Sequence, residues 1–376
     1  MEVIRLYTAA FEGSPLEALD IQCRGWAADA GLDLRILHCE PAHMARHPGE
    51  IVHPAVVHLP LAFDDLHTSP EIGTRAAVSV RVFEEYTNAP ERFFDGYRRV
   101  IHGRGVKSFK WAIRALASDA YGMCRKIEYG HHPYQHGFLQ WCPSKQVNSA
   151  SPCIVLVHGG FWRDHVDADI MSGLSAFFAS KGYVVFNVEY RRSSNAGGHS
   201  HCVSDVESAL QHLAAIGKRF PIDLNNVFVV GQSAGSQVAH CAIANSNQKL
   251  LDEGVVIRGF LSLAGILDLE EAFRSDIGQG AAKHYLGASP PLSRLRLLSP
   301  IRNPLAMETL IVHGKFDTDV PWDASVRYAR DCGSRSTLLL VDGCDHMDLL
   351  KVSRTHWPAI LRWLSERCSP VDRRKK

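Results

Sequence analysis

An α/β fold, with a mostly parallel sheet covered by helices on both faces, is what this sequence predicts. Two observations carry that reading. Short apolar, β-branched runs recur through the C-terminal two-thirds of the chain, and segments with helical periodicity separate them. Strands that read as continuous apolar runs are those buried on both faces of a parallel sheet.

The elements follow in order. In the first 110 residues Val3–Thr8, Leu32–Cys39 and Val56–Leu59 read as strands, and Pro15–Ala30, Ile72–Tyr86 and Phe109–Ala120 as helices. The expected division is therefore an N-terminal extension or small α/β domain over 1–110, of unassigned role, and a main domain over 111–376. In the main domain the strands are Ile154–Val157, Val184–Val188, Val227–Val230, Gly259–Leu263, Leu310–Val312 and Thr337–Val341. The helices are Ile170–Ser180, Val203–Ile216, Ser236–Ala244, Ala324–Asp331 and Trp357–Arg367. Residues 270–303, with three glycines and the Pro290-Pro291 pair, break the alternation. They are either a surface excursion or a partial cap over a site.

Composition excludes several classes. The 376 residues carry 41 basic and 40 acidic side chains, a net charge of +1, without the basic footprint of a nucleic-acid binder. The apolar runs are far shorter than the ~18 residues a membrane span needs. The N-terminus MEVIRLYTAAFEGS lacks a basic segment with an apolar stretch behind it, so no signal peptide is expected and a cytoplasmic location is the default. The ten cysteines are scattered and read as reduced core thiols.

Val227-Phe228-Val229-Val230-Gly231-Gln232-Ser233-Ala234-Gly235 is a G-x-S-x-G pattern between a strand and a helix. A nucleophilic serine needs such a sharp turn to expose its hydroxyl above the sheet, and the glycines let strand and helix approach closely. Upstream, Ile154–Val157 runs into His158-Gly159-Gly160-Phe161-Trp162. Two glycines after a strand free the backbone N–H groups to face an oxyanion, with Gly160, Phe161 and Ala234 as the candidate donors. His158 suits bracing of this loop. A base and its acid should follow the serine in the chain. Asp317, after Leu310–Val312, is the chosen acid and His346, after Thr337–Val341, the base. Asp319 and Asp345 are the rival acids. The sets His131-His132-His136 and His199-His201 lack the spacing of a metal motif, so no metal site is expected.

These residues resemble the α/β-hydrolase superfamily. HGGFW, GQSAG, HGKFDTDVP and GCDH, together with RGFLSLAGILDL and VEYRR, are most similar to its kynurenine formamidase-like and small-molecule carboxylesterase branch. The resemblance covers roughly residues 125–365. It implies an α/β-hydrolase fold, a Ser233–His346–Asp317 triad without cofactor, and a small-molecule ester or N-formylkynurenine-type amide as substrate. Two departures stand out: Gln232 occupies a position where the family commonly has histidine, and Cys344-Asp345 precede the candidate base. Phe161, Trp162 and Tyr190 are either pocket walls or core residues, and Arg191-Arg192 either substrate ligands or ion-pair partners. The expected activity is serine hydrolysis through an acyl-enzyme. An acyltransferase with the same triad and a non-catalytic binding shell are the alternatives. No nucleic-acid or membrane partner is expected, and a homodimer is left open.

Overall fold

The computed structural model describes residues 107–142, 150–193 and 199–368, and before them the segments 3–8, 21–26, 33–38, 55–58, 80–82 and 99–101. The chain separates into two compact units, Met1–Tyr121 and Gly122–Lys376.

The first unit holds a five-stranded sheet in the order β2-β1-β3-β4-β5, built from β1 (Val3–Thr8), β2 (Asp33–His38), β3 (Ala55–His58), β4 (Val80–Val82) and β5 (Arg99–Ile101). Every pairing in it is parallel. Helix α1 (Lys107–Ala120) closes the unit and straddles the expected boundary at residue 110. One expectation fails here. Residues 72–86 were expected to be a helix, yet Val80–Val82 is a strand, with Val80 beside Val56 and Arg99. Alternating valines at 78, 80 and 82 suit a strand, and pairing to non-local partners overrides the weaker local helical pattern. The rest of that segment lies outside the described residues, as does most of the helix expected at 15–30.

The second unit carries an eight-stranded sheet in the order β13-β12-β11-β10-β8-β9-β7-β6. Its strands are β6 (Met123–Glu128), β7 (His136–Trp141), β8 (Ser151–Val157), β9 (Val184–Val188), β10 (Ile222–Gln232), β11 (Ile257–Leu263), β12 (Thr309–Gly314) and β13 (Ser336–Val341). All pairings are parallel except those of β7, which runs against both β6 and β9. The centre is apolar on both faces. Val227 and Val229 of β10 join the main core cluster, while Phe228 between them meets Trp363 of the last helix, ring centroids 6.3 Å apart. Edge strand β6 instead carries Arg125, Lys126 and Glu128, charges that discourage pairing with another chain.

The helices are α2 (Ser172–Ser180), α3 (His199–Gly217), α4 (Ala234–Asp252), α5 (Leu269–Arg274), α6 (Ile277–Leu286), α7 (Leu292–Leu298), α8 (Asp323–Cys332) and α9 (Trp357–Arg367). The weak pattern over 270–303 thus resolves into three short helices, inserted between β11 and β12. Because β9 lies on one side of β8 and β10 on the other, the chain order reverses at β8. Ligands of open α/β sheets bind beyond the carboxyl strand ends at such a reversal. The loops after β8, β10, β12 and β13 all emerge at that edge.

Candidate active site

The turn after β10 is built by steric necessity. Ser233 adopts φ 54° and ψ −124°, a conformation L-residues rarely take, and its hydroxyl residue is buried among the strand ends. The turn is held by Ser233 N–H donating to Leu263 O (2.9 Å) and by Ser233 O accepting from the N–H groups of Ser236 and Ile266. A Cβ at Gly235 would lie 2.2 Å from His158 O, and one at Gly231 2.5 Å from Ser236 Cα. Backbone fills both places, so only glycine fits. A Cβ at Gly159 would stand 2.7 Å from Ser233 Cβ, so the two loops touch only because glycine is there too.

Asp317 and His346 meet across the loops after β12 and β13. His346 Nδ1 donates to Asp317 Oδ2 at 2.7 Å. A carboxylate only accepts, so the proton sits on Nδ1 and Nε2 is left with its lone pair. That lone pair faces the turn, where Gln232 Nε2 donates to it at 3.1 Å. The other oxygen of Asp317 accepts from Asp319 N–H and Val320 N–H, both at 2.9 Å. Burial acts to raise the Asp317 carboxyl, but hydrogen bonds from His313 and His346 and the backbone N–H of Val320 outweigh it and hold the group below the usual carboxylate range.

Of the rival acids, Asp319 is exposed and supports Asp317 through its N–H. Asp345 instead accepts from Asp348 N–H at 2.7 Å, bracketing the turn that presents His346. Asp348 is fixed in turn by Arg354 and by Lys351 (2.6 Å). Chiefly the Arg354 hydrogen bond holds its carboxyl down, at about 2. The two loops are locked by Phe316 N–H donating to Cys344 O at 3.0 Å. A Cβ at Gly314 would lie 2.3 Å from that same oxygen.

After β8, Gly160, Phe161 and Trp162 all take positive φ, at 109°, 53° and 56°. Successive residues in such conformations turn their N–H groups to one side and form an anion-binding concavity. No backbone carbonyl among the described residues takes up the N–H of Gly160, Phe161 or Ala234. Of the candidate pocket aromatics, Trp162 and Tyr190 present no surface, whereas Phe161 is partly exposed. Trp162 stacks on Tyr285 with centroids 4.4 Å apart and donates to Gln237 Oε1 (3.2 Å). Tyr190 stacks on His158 and donates to His158 O at 2.7 Å.

The two arginines are ion-pair partners within the chain. Arg191 grips Asp205 with Nε at 2.8 Å and Nη2 at 2.6 Å. Arg192 is fully buried between Glu189 and Asp167 and lies over the Tyr134 ring. Burial acts to raise the Glu189 carboxyl, but Arg192 and His158 overcome this and hold it well below its ordinary range. His158 therefore braces the loop, its Nε2 3.2 Å from Glu189 Oε1.

His313 was not singled out from the sequence. Its Nε2 lies 3.1 Å from Asp317 Oδ2 and 2.9 Å from Val320 O, both acceptors, so the proton is on Nε2 and Ser325 Oγ donates to Nδ1. The signal available was its position four residues before the chosen acid at a strand end. Among the described residues no three His, Cys, Asp or Glu side chains gather as a metal-holding group. None of the described helices is long and apolar enough to cross a membrane.

A mostly parallel sheet with a strained serine turn and an Asp–His pair at its carboxyl edge defines the α/β-hydrolase class. The BD-FAE family model matches residues 141–331, and the chain belongs to that family. A probable isoprenylcysteine alpha-carbonyl methylesterase of Oryza sativa subsp. japonica is 25% identical over 246 residues, 60% of this chain and 58% of that protein. The isoprenylcysteine alpha-carbonyl methylesterase of Arabidopsis thaliana is 23% identical, covering 64% of this chain and 65% of that protein. The chain thus spans less than two-thirds of the length of these curated relatives. Among solved structures, a truncated carbohydrate esterase from gut microbiota superposes with a TM-score of 0.58 at 18% identity, covering 66% of this chain and 97% of that one. Esterase B from Lactobacillus Rhamnosis gives 0.56 at 17% identity, covering 68% and 90%. At these identities the structural likeness speaks to the fold.

Proposed function

We propose that this chain is a serine hydrolase that cleaves small carboxylic esters through an acyl-enzyme. The observation that carries this is the buried Asp317–His346 hydrogen bond, with His346 Nε2 held against the strained Ser233 turn by the Gln232 side-chain amide, which must yield it to Ser233 Oγ for the reaction. In the proposed cycle His346 Nε2 takes the proton from Ser233 Oγ as the oxygen attacks the ester carbonyl. The Gly160, Phe161 and Ala234 N–H groups receive the oxyanion. The imidazolium, held by Asp317, then gives its proton to the leaving alkoxide, and the C–O bond breaks. Water, deprotonated by the same His346, attacks the acyl-enzyme; the tetrahedral intermediate collapses, and Ser233 recovers its proton as the acid leaves.

Esters come first because the relatives and structural neighbours are named as esterases. The finer resemblance, to the kynurenine formamidase-like branch, rests on the motif segments and adds N-formylkynurenine-type amides as a substrate class. Intact-mass labelling with a fluorophosphonate separates these readings from a binding shell. Wild type is expected to gain one adduct, and Ser233→Ala none. p-Nitrophenyl acetate should then be hydrolysed faster than N-formylkynurenine; the reverse order favours the formamidase branch. A folded wild type that takes no label and turns over neither compound would sink the hydrolase reading.

A further inference from the structure

Among the described residues six non-glycine positions have positive φ, and four of them, Phe161, Trp162, Asp276 and Gln279, lie in two segments that touch. One is the loop after β8. The other is the start of α6, where Gly278, Gln279 and Gly280 follow Asp276 with φ of 61°, 55° and 78°. A left-handed non-glycine residue is strained and persists only where its surroundings over-determine it. Gln237 and Ser193 hold the Trp162 indole and carbonyl, and further contacts on Phe161 and Trp162 come from α6. A Cβ at Gly278 would fall 2.6 Å from Phe161 Cδ1 and 2.8 Å from its Cε1, so the ring is seated on bare glycine backbone. Arg163 Nη2 donates to Gly278 O at 2.5 Å. Trp162 and Tyr285 stack with ring planes within 4° of parallel. Ser193 Oγ joins Trp162 O (2.7 Å) to His284 Nδ1 (3.1 Å).

We propose that α6 is a fixed clamp on the loop after β8, with Gly278 the positioning residue that aims the Phe161 N–H at the oxyanion. The segment between β11 and β12 is on this view no moving lid. Lifting α6 would unstack Trp162, free the Arg163 guanidinium and release the left-handed run, removing the oxyanion donors at the moment of opening. Gly278 acts through Phe161 and touches no reacting atom, so its effect belongs in kcat and not in ground-state binding. The proposal rests on the serine-hydrolase reading above.

The test is a double-mutant cycle of Gly278→Ala and Phe161→Ala on the full chain. It reads kcat and KM on p-nitrophenyl acetate, and Ki for a trifluoromethyl ketone that forms the oxyanion. Losing one oxyanion donor lowers kcat by about 10²–10³-fold. Gly278→Ala, which displaces the donor, is expected to lower kcat at least about 30-fold, keep KM within about threefold and weaken Ki in proportion. Phe161→Ala removes the seated ring itself, so it is expected to lower kcat and weaken Ki likewise, and the double variant should fall no more than about threefold below the more impaired single variant. A folded Gly278→Ala with wild-type kcat and Ki, or losses that multiply fully in the double variant, would overturn the clamp. Should Gly278→Ala fail to fold, Arg163→Met removes one contact without a steric clash. It is then expected to lose about fivefold in kcat and in Ki at constant KM, and unchanged values would overturn the proposal. A wild type that neither labels nor turns over ester fails the hydrolase reading instead, which keeps the two failures distinct.

Discussion

Asp317 illustrates how a single carboxylate is fixed against the histidine proposed as the base. Four hydrogen bonds converge on it, from His346, His313, Asp319 N–H and Val320 N–H, so its direction is fixed before any substrate arrives. Asp317→Asn should leave the fold standing but present an amide where an acceptor is required, and kcat is expected to fall by about 10⁴-fold. His313→Leu removes one donor from a buried acceptor, a loss of about 1–3 kcal/mol. It should appear as a lower urea midpoint together with about a tenfold fall in kcat. His240 offers a different measurement. It is fully buried against Phe260 and Tyr328, and burial depresses its pKa to about 3. The unfolded chain binds a proton there below about 6.5 while the folded chain does not. Stability linked to His240 is therefore complete above pH 6.5 and declines as pH falls toward 3, by about 1.4 kcal/mol per unit within that window. Urea unfolding of His240→Leu between pH 7 and 4 should show a flatter pH dependence than wild type.

At the scale of elements, the junctions between strands and loops do the work. The approach of the turn after β10 to the loop after β8 depends on Gly159 and Gly235, whose missing side chains are replaced by backbone and by Ser233 itself. Gly235→Ala is expected to destabilise the protein by about 1–3 kcal/mol or prevent folding, because the obstructing atom is a carbonyl that cannot rotate away. The segment after β9 works through charge. Arg192 neutralises Glu189 and Asp167 in a fully buried site, so Arg192→Met would leave uncompensated buried carboxylates. The expected cost is about 3–5 kcal/mol, visible as a large drop in urea midpoint at pH 7. Because the Glu189 carboxyl is held below its unfolded value, its stabilisation is present above the ordinary carboxylate range and is lost as pH falls through it.

For the whole molecule, the family match at residues 141–331 lies wholly within the unit Gly122–Lys376. A solved esterase domain is covered over 97% of its length by 66% of this chain. The fragment 122–376 is therefore expected to fold cooperatively by itself and to take the fluorophosphonate label on Ser233. A fragment that expresses but does not melt cooperatively would mean that Met1–Tyr121 completes the core. The role of that first unit, a five-stranded parallel sheet, is a question this experiment also opens to kinetics, since any change in substrate preference on its removal would report on it.

The strands of the larger sheet from β8 onward were legible in the sequence, as were the three residues proposed for chemistry, whereas β5 and β6 were not among the expected elements. Apolar runs such as Val184–Val188 and Val227–Val230 are buried on both faces and so announce themselves locally, and Ser233, Asp317 and His346 sit at strand ends in a fixed chain order. Tertiary structure alone decided which side chains meet. Trp162 and Tyr190 became stacked core residues, Arg191 and Arg192 became internal ion-pair partners, and Val80–Val82 became a strand, each because of a partner distant in sequence. His313 and Gly278 stayed silent for the same reason. Hydrogen bonding to Asp317 and the seating of Phe161 depend on loops brought together by strand pairing, and local sequence encodes a residue's own preference but not the neighbour that the closed fold places against it.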